Sequence, residues 1–95
     1  MLFRTDPAAR GLAPQLYQTL LDVRGVVEGG ERDFAGLEQA ALAQLAEAGF
    51  DPDYVSIRRV ADLARPAVGD QALIVLAAAT VGRARLIDNV RISVS

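Results

Sequence analysis

Arg83, Arg85, Asp88 and Asn89 fall within seven positions near the end of the chain and are the first residues to weigh for chemistry. Guanidinium groups grip phosphate or carboxylate through paired hydrogen bonds, so an Arg-x-Arg step is a candidate anion clamp. Strand alternation works against convergence: Arg83, Arg85 and Ile87 fall on one side, Ala84, Leu86 and Asp88 on the other. We favour a structural role, in which one arginine pairs with an acidic neighbour while Asp88 and Asn89 satisfy turn or edge amides. The run Gly30-Glu31-Arg32-Asp33 has a similar explanation. Gly30 ends one helix, Asp33 caps the next, and Glu31 and Arg32 form a solvated pair. Gly29-Gly30 follows a helix rather than a strand and has no partner Lys, so it is not a phosphate-binding loop. Arg58 and Arg59 point to opposite faces of a strand, and Tyr17 reads as a half-buried core ring rather than a stacking platform.

The rest of the inventory narrows the chemistry further. The chain has no His, no Cys and no Lys; all ten of its cations are Arg. An imidazole base, a thiolate nucleophile, a Schiff-base amine and a phosphate-holding Lys are therefore all missing. No disulfide or thiolate metal site can form. The net charge of −2 with no basic block speaks against nucleic acid. The first helix lacks the cationic face that a membrane-surface helix needs, and the apolar run Ala72 to Ala79 is too short to span a bilayer. A soluble, cytoplasmic domain is expected. Its 95 residues, 52% of them apolar, suit one modest core.

Two helices and three strands must position these residues. Asp6-Pro7 reads as a helix start, and Leu12, Leu16, Leu20, Val23 and Val27 then form one stripe widened by Tyr17 and Leu21. Pro14 lies inside the pattern, which predicts a kink or break after a short first segment. Gly29-Gly30 ends the helix, and Asp33 caps a second one whose stripe is Phe34, Leu37, Ala41, Leu45 and Ala48, closed by Gly49. Ala35, Ala40, Ala41, Ala43 and Ala46 are small enough to allow close approach to a sheet or to the first helix. Asp51-Pro52 signals a turn, and Tyr54 to Arg59 then alternates with Val55 and Ile57 on one face. Asp62 to Gly69 is a connector; Leu73 to Ala79, apolar on both faces, is a central strand; Val81-Gly82 turns into a third strand, Arg83 to Ile92. The simplest assembly is a two-layer α+β fold, two N-terminal helices packed on a three-stranded antiparallel sheet in order 1-2-3.

The run from Gln71 to Asn89, ending Arg85-Leu86-Ile87-Asp88-Asn89, resembles a known family when taken with Gly30-Glu31-Arg32-Asp33 and Asp53-Tyr54-Val55-Ser56-Ile57-Arg58. The chain is similar to the C-terminal domain of pantothenate synthetases (pantoate–β-alanine ligases), from about Pro7 to the end. The resemblance implies one domain over residues 1–95, with the family's N-terminal Rossmann-like nucleotide-binding domain absent. It implies an ATP-dependent condensation of pantoate with β-alanine through pantoyl-adenylate, assisted by Mg²⁺. The nucleotide and pantoate contacts belong to the N-terminal domain, and the C-terminal domain hinges over the cleft as a lid that excludes water.

One departure limits what can be transferred. The family carries Met-Ser-Ser-Arg-Asn just ahead of the first helix, where this chain has Met1-Leu2-Phe3-Arg4-Thr5-Asp6. No catalytic, cofactor-binding or metal residue can therefore be assigned to any position here. The favoured expectation is a lid domain that is inert alone and binds no cofactor by itself. Its partner would be the N-terminal domain of the same enzyme, and weak homodimers could form through an exposed docking face or a free strand edge. A free-standing interaction module docking on a separately encoded N-terminal domain is the alternative, and an independent small enzyme is disfavoured by the residue inventory.

Overall fold

The computed structural model describes residues 7–67 and 69–94, with side chains from residue 11 onward. Helices α1 (Pro7–Glu28) and α2 (Phe34–Ala48) precede strands β1 (Asp51–Arg59), β2 (Ala72–Val81) and β3 (Ala84–Ser93). The strands form an antiparallel sheet in the order β1-β2-β3, so the expected two-layer α+β architecture is the observed one. The expected cap at Asp6 lies outside the described residues.

The α1 stripe seats Leu16, Leu20, Val23 and Val27 in the core, with Leu12 half-buried at its end. Two expectations for this helix are revised. Pro14 does not break it: α1 runs unbroken for 22 residues. Pro14 is exposed, so the carbonyl it leaves unbonded can turn to water rather than being stranded in the core. Tyr17 is 48% exposed and does not join the core, because a three-stranded sheet is too narrow to reach one residue round from Leu16. Of the α2 alanines only Ala41 is buried, beside Leu45; Ala35, Ala40, Ala43 and Ala46 face solvent.

The two glycine stops behave as the sequence implies. Gly30 (φ 117°) and Gly49 (φ 109°) adopt left-handed values that end α1 and α2. Gly49 and Phe50 make the turn into the sheet, so Asp51-Pro52 is not a turn but the start of β1. Proline is tolerated there because β1 is an edge strand, and the register shifts between Pro52 and Tyr54.

Burial alternates along the strands, except at Ala78 on β2, which is covered although it lies on the other face. Val55 and Ile57, then Leu73, Val75, Ala77, Ala79 and Val81, face the helices. On β3 the matching set is Ala84, Leu86, Val90 and Ile92. α1 lies over β3 and β2, and α2 lies over β1. Leu20, Leu45 and Ile57 are fully buried, each worth about 1.5–3 kcal/mol of apolar transfer. Thr19 is the one buried polar residue among those described; its hydroxyl donates to the Gln15 carbonyl and accepts from Gln44 Nε2.

Candidate functional site

The hairpin between β2 and β3 carries the first cluster. Gly82 (φ 59°) supplies the positive φ that a two-residue loop with glycine first requires, and Val81 pairs with Ala84 across it. Arg83 sits in the turn and is exposed. Arg85 reaches across the sheet to β1, its Nε donating to Asp53 Oδ2 at 2.7 Å. That hydrogen bond raises the guanidinium pKa above its ordinary value, with smaller Coulombic help from Asp53 and Tyr54 and a counteracting loss of solvation. A raised pKa stabilises the fold below the unfolded value and loses effect only as pH climbs through the folded one, far above neutrality. Asp88 lies half-buried on the helix side of β3, and its Oδ1 accepts the Asn89 amide at 2.8 Å; Asn89 faces the other way, exposed. The four polar residues therefore do not gather round one point.

The α1–α2 junction uses every residue of Gly30-Glu31-Arg32-Asp33. Asp33 Oδ1 accepts the Gly36 amide at 3.1 Å, and a Cβ at position 36 would collide with that carboxylate. Glu31 and Arg32 are not the solvated ion pair expected from the sequence. Glu31 Oε1 accepts the Arg32 and Asp33 amides, both at 2.9 Å. Arg32 Nη1 donates to the carbonyls of Val27 and Glu31, both at 2.8 Å, satisfying the end of α1. Both side chains bond backbone because the turn leaves orphan amides and carbonyls within their reach.

A second polar group was invisible in the sequence. Glu38 on α2 accepts the Ile57 amide at 2.7 Å and stands 3.7 Å from Arg58, which curls over the β1 edge to meet it. Arg59 pairs instead with Asp62 and Asp70, both between β1 and β2. Arg32, Arg58 and Arg65 line a cleft of about 280 Å³ floored by Phe34, Ile57 and Pro66. Asp33 and Glu38 line it as well. A carboxylate already fills the anion-attracting N-terminus of α2, so the cleft is poorly suited to a nucleotide phosphate. Among the described residues no three His, Cys, Asp or Glu side chains are grouped to hold a metal ion.

The face of the sheet away from the helices is the other distinctive surface. Tyr54, Ala78 and Ile87 stand in one row across β1, β2 and β3. Tyr54 is 39% exposed and Ile87 66%, while Ala78 between them is fully covered. The next two rows place Leu76 between Ser56 and Asn89, and Ile74 between Arg58 and Arg91. An apolar centre with a polar margin results, and no sequence pattern announces it because each strand alone contributes at most one apolar residue to a row.

A two-layer α+β unit with a hairpin clamp and a bare sheet face is a fold, not yet a family. The family model described as pantoate-beta-alanine ligase matches residues 4–91, and the chain belongs to that family of ligases. It is 52% identical over 88 residues to the pantothenate synthetase of Methylococcus capsulatus, covering 93% of this chain and 31% of that protein. The pantothenate synthetase of Thioalkalivibrio sulfidiphilus is 53% identical over 83 residues, 87% of this chain and 29% of its own length. The crystal structure of the Thermus thermophilus pantothenate synthetase superposes with a TM-score of 0.76 at 30% identity, over 90% of this chain and 31% of that one. The chain thus spans about a third of the length of these relatives. No helix among the described residues is long and apolar enough to cross a membrane.

Proposed function

We propose that this chain is the C-terminal, lid-forming part of a pantothenate synthetase, an enzyme that condenses pantoate with β-alanine at the expense of ATP through pantoyl-adenylate. The carrying observation is 52% identity over 88 residues to about a third of one such enzyme. The chain's own inventory supports a lid over a catalytic centre: it has no Lys or His, and the arginine-lined cleft beside the start of α2 is shared with Asp33 and Glu38. ATP and Mg²⁺ would be held by the remainder of the enzyme, since the described residues do not form a phosphate cradle. What this part supplies is a rigid two-layer body that can swing as a unit and exclude water from a hydrolysable acyl-adenylate.

A full-length ligase in which this chain replaces the matching third of the Methylococcus capsulatus enzyme tests the reading. It is expected to form pantothenate from pantoate, β-alanine and ATP. The chain alone is expected to form none and, by calorimetry with Mg²⁺ present, to bind ATP no tighter than millimolar. A folded but inactive chimera rejects the reading, and a micromolar dissociation constant for the isolated chain moves the nucleotide site into it.

A further inference from the structure

We propose that the helix-free face of the sheet, centred on the row Tyr54, Ala78 and Ile87, is the surface on which the remaining two-thirds of the ligase chain docks; this rests on the ligase reading above. The opposite face is already occupied by α1 and α2, and no helix among the described residues packs over this one, so Tyr54 and Ile87 stay exposed on it. Tyr54 and Ile87 rise on either side of fully covered Ala78 and make a shallow saddle, with half-buried Leu76 and Ile74 continuing its floor. Polar groups stand at its margin: the Arg85–Asp53 pair beyond one end, Asn89 at the side and Arg91 at the other end. Arg91 is exposed and makes no ion pair among the described residues, so the docked surface should be apolar at its centre with a carboxylate or carbonyl opposite Arg91.

Size selects the occupant. Three rows about 7 Å apart on three strands about 5 Å apart give a patch of about 300 Å², or about 600 Å² counted on both partners. Surfaces between domains of one chain start at about 600 Å², whereas stable complexes of free partners bury about 1,200–2,000 Å². A tethered partner needs no more, because covalent connection raises its effective concentration into the millimolar range. A second free copy of this chain would be held only weakly by the same patch.

The chain has only two tyrosines, Tyr54 on this face and Tyr17 on α1, and both are exposed in the described fold. Hydroxyl-radical footprinting with mass spectrometry therefore reads the two sides separately. On going from the isolated chain to the chimeric full-length ligase, Tyr54 oxidation is expected to fall several-fold while Tyr17 oxidation stays unchanged, and Ile87→Asp in the chimera should restore Tyr54 oxidation. Protection of Tyr17 instead would assign docking to the helical side. No change at either tyrosine would leave the sheet face bare. Protection of Tyr54 in the isolated chain that grows with its concentration would give the face to a second copy. Each of these three results overturns the proposal. An active chimera with unprotected Tyr54 discards the docking face and keeps the ligase reading; an inactive chimera that still protects Tyr54 does the reverse.

Discussion

Glu38 closes an edge of the sheet. Its Oε2 takes the hydrogen of the Ile57 amide on β1, and the same oxygen draws Arg58 to 3.7 Å. The side chain is 23% exposed, so little water can substitute for it. Glu38→Ala is expected to destabilise the fold by about 1–2 kcal/mol, the cost of leaving that amide without its charged acceptor. Glu38→Gln keeps an acceptor oxygen and should cost less than half as much. Urea unfolding of the three proteins checks both statements, and an unchanged midpoint for Glu38→Ala would mean water replaces the carboxylate. On the other outer strand Asp88 holds the Asn89 amide in the same manner. Two carboxylates thus occupy amides on the outer strands that could otherwise recruit another chain.

The helices show where a local rule yields to its surroundings. Proline in a helix interior costs about 3 kcal/mol relative to alanine, yet α1 continues through Pro14. Four buried residues beyond it, Leu16, Leu20, Val23 and Val27, anchor the helix along β3 and β2 more firmly than one missing hydrogen bond can loosen it. Since Pro14 is exposed and the helix is already formed around it, Pro14→Ala should stabilise the chain by about 1–3 kcal/mol and leave its helix content nearly unchanged. Thermal unfolding followed by circular dichroism measures both quantities. A large gain in ellipticity would show instead that the native helix is interrupted at Pro14.

At the scale of the molecule, the core ties both helices to all three strands, so the isolated chain is expected to unfold in one cooperative step. Self-association should be weak. The outer-strand carboxylates oppose edge pairing, and the sheet face is too small to hold two free copies firmly. Sedimentation should find a monomer at micromolar concentration, with dimer appearing only toward the millimolar range and disappearing in Ile87→Asp. Association that survives Ile87→Asp would locate the contact at a strand edge or on the helices.

The element order, the caps at Asp33 and Gly49, the alternation of Val55 and Ile57, and the family itself were readable from the sequence. Each depends on neighbours within a few positions, or on a run such as Arg85 to Asn89 that carries its own signature. Periodicity measures which side chains share a face, and that information is local. What it could not supply was the meeting of distant residues. Asp53 and Arg85 are 32 positions apart, Glu38 and Ile57 are 19 apart, and the saddle takes one residue from each of three strands. Those contacts depend on strand register and on how α2 lies against β1, which are set by packing the whole core at once. The same global fit kept α1 unbroken through Pro14 and left Tyr17 in solvent, because the narrow sheet decided which part of the stripe it could cover.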